Sequence, residues 1–449
     1  MNDPNTPDTY GDRTMLARDL PFLALLLLPA VGCTQVPTMD PARQQAVVEK
    51  TIALVEASYV YPERATMVRT TLQTNVRAGK YRGLEKMDDF LDALNHDLQA
   101  AGEDKHLQVM NSPRIVAQLK QDAGGTDEVS PQFLRMMQDE NFRLRKAESL
   151  EGNVGYFKFD NFVELRFVRD AFVGAMNLLH ASSALVIDLT DNGGGASETS
   201  NFLISYFLPE GTRTGEAWSR ATNETTTTSV TVAPDVKQIL DTPLYVLVSE
   251  RSASAAEAVA YTLQQAKRAV VVGSRTKGMA NAGQQFVIDD RLFVVIPTSL
   301  AKNAVSGTNW EGTGVVPDIE APRGHALDSA MMDALKLLAE RRKDKDGRSR
   351  LLFMIPEYAT RIAPETPPAG FVDACIGEYG DETTIVKEAG SLYFLKGEIH
   401  RRLDYMTDCT FLVDGRKDYR MRFPFEAGKV SRCVVLWFDD TSDTYQRTQ

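Results

Sequence analysis

The stretch Ala184-Leu185-Val186-Ile187-Asp188-Leu189-Thr190-Asp191-Asn192-Gly193-Gly194-Gly195 decides the fold. Its first half is an almost unbroken apolar run, the pattern of a strand covered on both faces. Its second half is three consecutive glycines, which let the backbone bend sharply and leave N–H groups free at the start of the helical segment Ser197–Tyr206. Such donors suit a phosphate or a developing oxyanion. Taken alone, the three glycines are equally those of an ordinary turn. The ending Gly-Lys-Ser/Thr of a phosphate-binding loop is missing, which excludes that class.

The same alternation continues outward. Val154–Phe159, Leu244–Val248 and Ala269–Gly273 read as further buried strands, and Phe167–Leu179 and Ala255–Gln265 as helices between them. Strands separated by helices of about 10–15 residues mean βαβ units and a largely parallel sheet. A hairpin (Phe286–Ile288 and Leu292–Ile296) and a closing helix (Asp328–Glu340) complete an α/β core over 150–340, followed by the charged run Arg341–Arg350. Before the core, 41–110 read as a small helical domain, broken at Tyr59-Val60-Tyr61-Pro62. The polar stretch 111–150 reads as a surface connection with one helix near Pro131–Glu140, too short for an extra β-rich peptide-binding domain. After Pro364-Glu365-Thr366-Pro367-Pro368, short apolar-rich strands between polar turns predict a small all-β domain over 365–445.

Residues 1–33 predict an export signal. Arg13 and Arg18 precede the apolar run Pro21–Ala30, which is shorter than the roughly 20 residues needed to span a bilayer. Ala30-Val31-Gly32-Cys33 resembles the lipobox of bacterial lipoproteins, which makes Cys33 the candidate for lipidation and a lipid anchor. The other cysteines, Cys375, Cys409 and Cys433, lack metal-ligand spacing and leave open one disulfide or buried thiols. Net charge is −11, with no basic cluster, which argues against a nucleic-acid partner. The five histidines are scattered, so neither a metal site nor a cofactor is expected.

A second strand-to-helix corner carries a hydroxyl: Val248-Ser249-Glu250-Arg251-Ser252-Ala253-Ser254-Ala255-Ala256-Glu257. Ser254 would sit at the carboxyl edge of the sheet, where open α/β folds collect ligands, with the first helical N–H groups beside it. A plain helix cap explains a serine there as well. A nucleophilic serine needs a base. Among His96, His106, His180, His325 and His400, His106 falls at a loop edge well placed to face a cleft and His325 also sits in a loop, and periodicity selects no further.

Three segments, Leu185–Gly195, Ser252–Glu257 and Ala269–Gly278, together resemble the C-terminal processing (tail-specific) serine peptidases, over about residues 44–340. The resemblance implies a crotonase/ClpP-like α/β peptidase core, with Ser254 as nucleophile. The place of the Lys base of the bacterial tail-specific branch holds Met279, and Lys277 lies two residues early. The chain is instead similar to the tricorn-core and interphotoreceptor retinoid-binding protein branch, through Asp104-Lys105-His106-Leu107 and Trp310-Glu311-Gly312-Thr313-Gly314-Val315-Val316-Pro317-Asp318. That branch implies His106 as general base and Glu311 as the acid behind it. Where tricorn-type sites carry a serine directly before the histidine, this chain has Lys105, so Glu311 is open to either His106 or Lys105.

In this scheme His106 takes the Ser254 proton, and the N–H groups of Gly194 and Ala255 form an oxyanion hole supported by Gly193 and Gly195. Asp104, Glu257 and Asp191 read as structural carboxylates. The expectation is an exported, periplasmic or envelope-bound serine peptidase acting on peptides or unfolded protein. A non-catalytic apolar-ligand binding protein on the same fold, or an esterase, is the alternative.

Overall fold

The computed structural model describes residues 38–123, 131–322, 324–380 and 382–449. The signal segment and Cys33 lie outside the described residues.

The α/β core is built on a six-stranded sheet. In spatial order its strands are Ile319–Glu320, Val270–Gly273, Leu244–Val248, Ala184–Asp188, Val154–Phe159 and Leu144–Leu150. All neighbours are parallel except the last pair, where Leu144–Leu150 runs antiparallel along the edge. The continuous apolar runs of the sequence follow from burial on both faces. Phe157, Phe159, Leu185, Ile187, Val246, Val248 and Val271 pack under the helices Leu165–Leu179, Ser197–Ile204 and Ala255–Gln265. Their alternating neighbours Val154, Tyr156, Val186, Tyr245, Leu247 and Val272 pack under Ala326–Arg341, with Tyr358 of Lys345–Ile362. Full burial of each such aliphatic side chain is worth roughly 1.5–3 kcal/mol, so both layers are fixed firmly to the sheet.

The helical segment consists of Pro41–Ser58, Pro62–Arg77 and Met87–Gly102. Asp40 caps the first by accepting from the Arg43 N–H at 2.9 Å, and Pro62 starts the second where a missing N–H costs nothing. Its core includes Leu292, Val294 and Ile296 of the strand Leu292–Pro297, so it is completed by the α/β segment. The strand Gln108–Asn111, directly after the third helix, pairs antiparallel with that same strand, Val109 opposite Val294.

Several elements are additional to the sequence expectation. Arg213–Ser219, Glu224–Ser229 and Ser299–Asn303 form a separate three-stranded sheet. The charged run after residue 341 is the start of the 18-residue helix Lys345–Ile362. The C-terminal part is an eight-stranded antiparallel sheet from Gly377–Tyr379 to Ser442–Gln446. Its two end strands meet: Tyr379 bridges Arg447, and the Gly380 N–H donates to the Gln446 carbonyl at 2.9 Å. The sheet thereby closes on an interior of Phe371, Phe394, Phe411, Phe423 and other apolar side chains. Cys375, Cys409 and Cys433 are free thiols, the first and last fully buried. Burial pushes the Cys433 thiol up to about 12.

Among the described residues no helix is long and apolar enough to cross a membrane.

Candidate active site

Both strand-to-helix corners lie at the carboxyl edge of the sheet and are stitched together. The Ser252 hydroxyl donates to the Leu189 carbonyl at 2.6 Å, and that of Ser249 to the Thr190 carbonyl at 2.5 Å. The Ala253 N–H donates to the Asn192 carbonyl at 3.2 Å. Ser254 stands directly before the helix Ala255–Gln265, half-buried, with φ 53° and ψ −115°. A non-glycine residue in that region carries roughly 1–3 kcal/mol of strain and persists only where its surroundings hold it.

Glu257 does the holding. Its carboxylate is fully buried and accepts four hydrogen bonds: from the Ser254 N–H at 2.8 Å, the Thr276 hydroxyl at 2.5 Å, the Gly278 N–H at 2.7 Å and the Met279 N–H at 2.9 Å. The expected structural role of this carboxylate is thus a tie between the Ser254 corner and the loop after the strand Val270–Gly273.

The glycine turn presses against Ser254. Gly194 has φ 98°, and a Cβ there would lie 2.8 Å from both the Ala253 carbonyl oxygen and Ser254 Cβ, and 3.1 Å from the Ala255 nitrogen. Only glycine allows that approach. The Gly194 N–H donates to the buried Asn192 Oδ1 at 2.9 Å, so this member of the expected oxyanion hole is engaged within its own loop. Gly193 is exposed and its N–H reaches the Asp160 carbonyl at 3.3 Å. Gly195, at φ 135°, forms a bridge with Phe162 that no side chain would permit.

His106 comes from the helical segment, two residues before the strand that anchors it to Leu292–Pro297. It is 7% exposed, and neither ring nitrogen has a hydrogen-bond partner among the described residues. Nδ1 lies 3.6 Å from Asp104 Oδ1 and 4.0 Å from Glu311 Oε2, flanked by both carboxylates just beyond hydrogen-bonding distance. Such contacts are often long before substrate arrives. Asp104 Oδ1 also accepts the His106 backbone N–H at 2.9 Å, and its Oδ2 accepts from the Tyr59 hydroxyl at 3.1 Å. Burial, then the Asp104 charge, holds the Tyr59 hydroxyl far above its ordinary pKa, so it stays a donor.

Glu311 Oε2 accepts the N–H groups of Ala280 and Asn281 at 2.7 and 3.0 Å, while Oε1 is buried without a partner. Burial raises its carboxyl pKa, as does the neighbouring Asp104 charge, against the opposing effect of those N–H groups and of His106. Lys105 does not compete for it: its ammonium donates to the Lys277 carbonyl at 2.6 Å. Met279 occupies the place of the alternative Lys base, and its carbonyl accepts from the Trp310 indole at 3.1 Å.

Sequence reasoning read Asp104 as a structural carboxylate, and it does accept the His106 backbone N–H, but neither its approach to the His106 ring nor the contact with Tyr59 was anticipated. The two-residue spacing of Asp104 and His106 was a signal for a shared turn, but the position of Tyr59 depends on helix packing. It also expected no metal set from the scattered histidines. Folding nonetheless brings one donor atom each of Asp104, His106 and Glu311 within 4.8 Å of one another.

Residues 153–321 match the sequence model of peptidase family S41, and residues 36–145 match that of the N-terminal domain of Peptidase_S41 in eukaryotic IRBP. The carboxyl-terminal-processing peptidase 1, chloroplastic, of Arabidopsis thaliana is 30% identical over 180 residues, 40% of this chain and 35% of that protein. The tail-specific protease of Haemophilus influenzae is 27% identical over 150 residues, 31% of this chain and 21% of that protein. The chain spans about a third of the length of the curated relatives it matches. A solved lipoprotein structure from Streptococcus agalactiae superimposes at a TM-score of 0.47 with 15% identity, covering 71% of this chain and 100% of that one. Two segments of the chain, 36–145 and 153–321, are thus similar to peptidase family S41 domains, and the chain is similar to carboxyl-terminal-processing proteases.

Proposed function

We propose that this chain, with its family S41 domains, is an exported serine peptidase that hydrolyses peptide bonds through Ser254 with His106 as general base. The observation that carries the reading is the strained Ser254 held beside Gly194, together with a buried His106 whose Nδ1 faces two carboxylates.

In the first step Ser254 Oγ attacks the scissile carbonyl carbon while its proton passes to His106 Nε2. Asp104 and Glu311 stabilise the resulting imidazolium through the proton on Nδ1. The negative charge on the former carbonyl oxygen is met by the Ala255 N–H at the helix start and by the Gly194 N–H as Asn192 Oδ1 yields it. Loss of one such donor costs about 3 kcal/mol in the barrier. His106 then returns the proton to the leaving amine, and water deprotonated by His106 releases the acyl group from Ser254. Export through the segment 1–33 and lipidation at Cys33 belong to the same proposal, as does a peptide or unfolded-protein substrate.

A fluorophosphonate probe tests this directly. The wild type is expected to label covalently and to cleave an unstructured peptide, with Ser254→Ala and His106→Ala each losing at least about 10³-fold. Labelling of Ser254→Ala at the wild-type rate would remove the serine nucleophile from consideration. Labelling without peptide cleavage would favour an esterase. Absence of labelling in a folded wild type would leave the apolar-ligand binding protein.

A further inference from the structure

We propose that Asp104, His106 and Glu311 form a binding site for a divalent transition-metal ion, Zn²⁺ by its chemistry, and that occupying it switches the hydrolytic site off. The effect on hydrolysis rests on His106 being the base, but the site itself does not.

The geometry is close to that of a three-ligand site. His106 Nδ1 lies 3.6 Å from Asp104 Oδ1 and 4.0 Å from Glu311 Oε2, and one donor atom of each of the three residues falls within 4.8 Å of the other two. A tetrahedral Zn²⁺ with nitrogen and oxygen ligands at about 2.0–2.2 Å holds them roughly 3.4 Å apart, so side-chain shifts of up to about an ångström close the set. One imidazole and two carboxylates is a ligand combination that Zn²⁺ accepts.

A second observation is independent of those distances. Both nitrogens of the His106 ring and Glu311 Oε1 are buried without any hydrogen-bond partner among the described residues. Buried polar atoms are rarely left so, and each one points to an interaction still to be made. The charges agree. Among the described residues, neither Asp104 nor Glu311 forms an ion pair with a lysine or arginine. The nearby cations are turned elsewhere, Lys105 to the Lys277 carbonyl and Arg64 to Glu103 at 3.1 Å. A buried and a half-buried carboxylate, Asp104 and Glu311, face one imidazole without a compensating cation.

The consequence for catalysis follows from the tautomer. With the Nδ1 lone pair on the metal, the single proton of the neutral ring moves to Nε2. No proton leaves the ring, but Nε2 has become a donor and cannot accept the Ser254 proton. The ion thus takes the place of the Nδ1 proton that Asp104 and Glu311 would stabilise in the proposed mechanism.

The test separates the site from the activity. Zn²⁺ is titrated calorimetrically into the full chain carrying Ser254→Ala, which keeps all three ligands, and into the same chain with Asp104→Asn or Glu311→Gln added. One saturable site is expected, weakened at least tenfold by either carboxamide, with melting curves confirming that each variant is folded. His106→Gln serves as a second ligand variant should a carboxamide unfold the chain. Binding weaker than about 100 µM, or equal binding in all variants, overturns the site. Zn²⁺ is then added to the wild type during fluorophosphonate labelling. At least tenfold slowing, reversed by EDTA, is expected, and unchanged labelling at saturating Zn²⁺ overturns the switch. Should the wild type fail to label even with EDTA, the peptidase reading falls while the titration still decides the site.

Discussion

Replacing Glu257 with glutamine tests whether the site is assembled by one buried carboxylate. In the native chain Oε1 accepts from Thr276 and Gly278, and Oε2 from Ser254 and Met279. Glutamine fills the same volume but offers one acceptor oxygen. Its NH₂ group then faces two donors, which lose their acceptor inside the protein. At about 1–3 kcal/mol for each unsatisfied buried donor, the expected loss is about 2–6 kcal/mol. Residues 39–449 form one compact unit. With an unfolding entropy of about 2.1 cal/mol/K per residue, that loss lowers Tm by about 2–7 °C if the unit unfolds cooperatively. Activity falls further than stability, because the Ser254 backbone is strained and Glu257 restrains it. Relaxation of φ moves Oγ, and a displacement of about 1 Å costs on the order of 10²-fold in rate. Thermal melts and the second-order rate of fluorophosphonate labelling read the two effects separately. A Glu257→Gln protein with Tm within 1 °C and labelling within twofold of wild type would refute the reasoning.

Gly194→Ala is expected to abolish labelling while leaving a folded protein by circular dichroism, because its Cβ would be driven to 2.8 Å from Ser254 Cβ; labelling at the wild-type rate would contradict the close approach. Lys105→Ala should change labelling less than twofold, since the ammonium reaches only an exposed carbonyl and not Glu311, and the same labelling kinetics check it. Asp97 accepts from Asn75, Lys80 and Tyr81 at 2.8, 2.5 and 2.9 Å. Burial opposes its ionisation, but the hydrogen bonds from Lys80, Tyr81 and His96 with the Lys80 charge bring its carboxyl pKa below the ordinary value. Its contribution is therefore present above the unfolded pKa near 3.9 and is lost as pH falls through the lower folded value. Denaturant titrations should show the stability advantage of wild type over Asp97→Asn constant above about pH 5 and shrinking below about pH 4.

Much of the α/β core was legible because its strands are buried on both faces. Leu244–Val248 reads as strand from composition alone, and the glycines after Ala184–Asp188 mark the turn. What the sequence hid has physical causes. Glu224–Ser229 is an exposed Thr-rich strand with no apolar face, so no period announces it. Ile399–Thr407 carries Arg401, Arg402 and Asp404 within a barrel strand whose inward positions are few. Lys345–Ile362 opens with charges and contains Pro356, both of which speak against a helix until packing against Ala326–Arg341 fixes it. At the site, motif context singled out Ser254, His106 and Glu311, but which side chains surround them is a matter of packing. Lys105 and Asp104 are neighbours in sequence, and only folding sends one toward Lys277 and the other to the imidazole.

Ser254 and His106, the proposed nucleophile and base, come from different parts of the chain. Ser254 is delivered by the parallel sheet, and His106 by a helical layer whose apolar core is incomplete until Leu292, Val294 and Ile296 supply its floor. Non-local pairing of this kind forms late, after the local elements it joins. Under the proposed mechanism, a part-folded chain therefore carries Ser254 without its proton acceptor and does not yet cut its own exposed peptide bonds. In a protein proposed to cross a membrane unfolded and to cut unfolded segments, competence and completeness arrive together, and the newborn molecule spares itself.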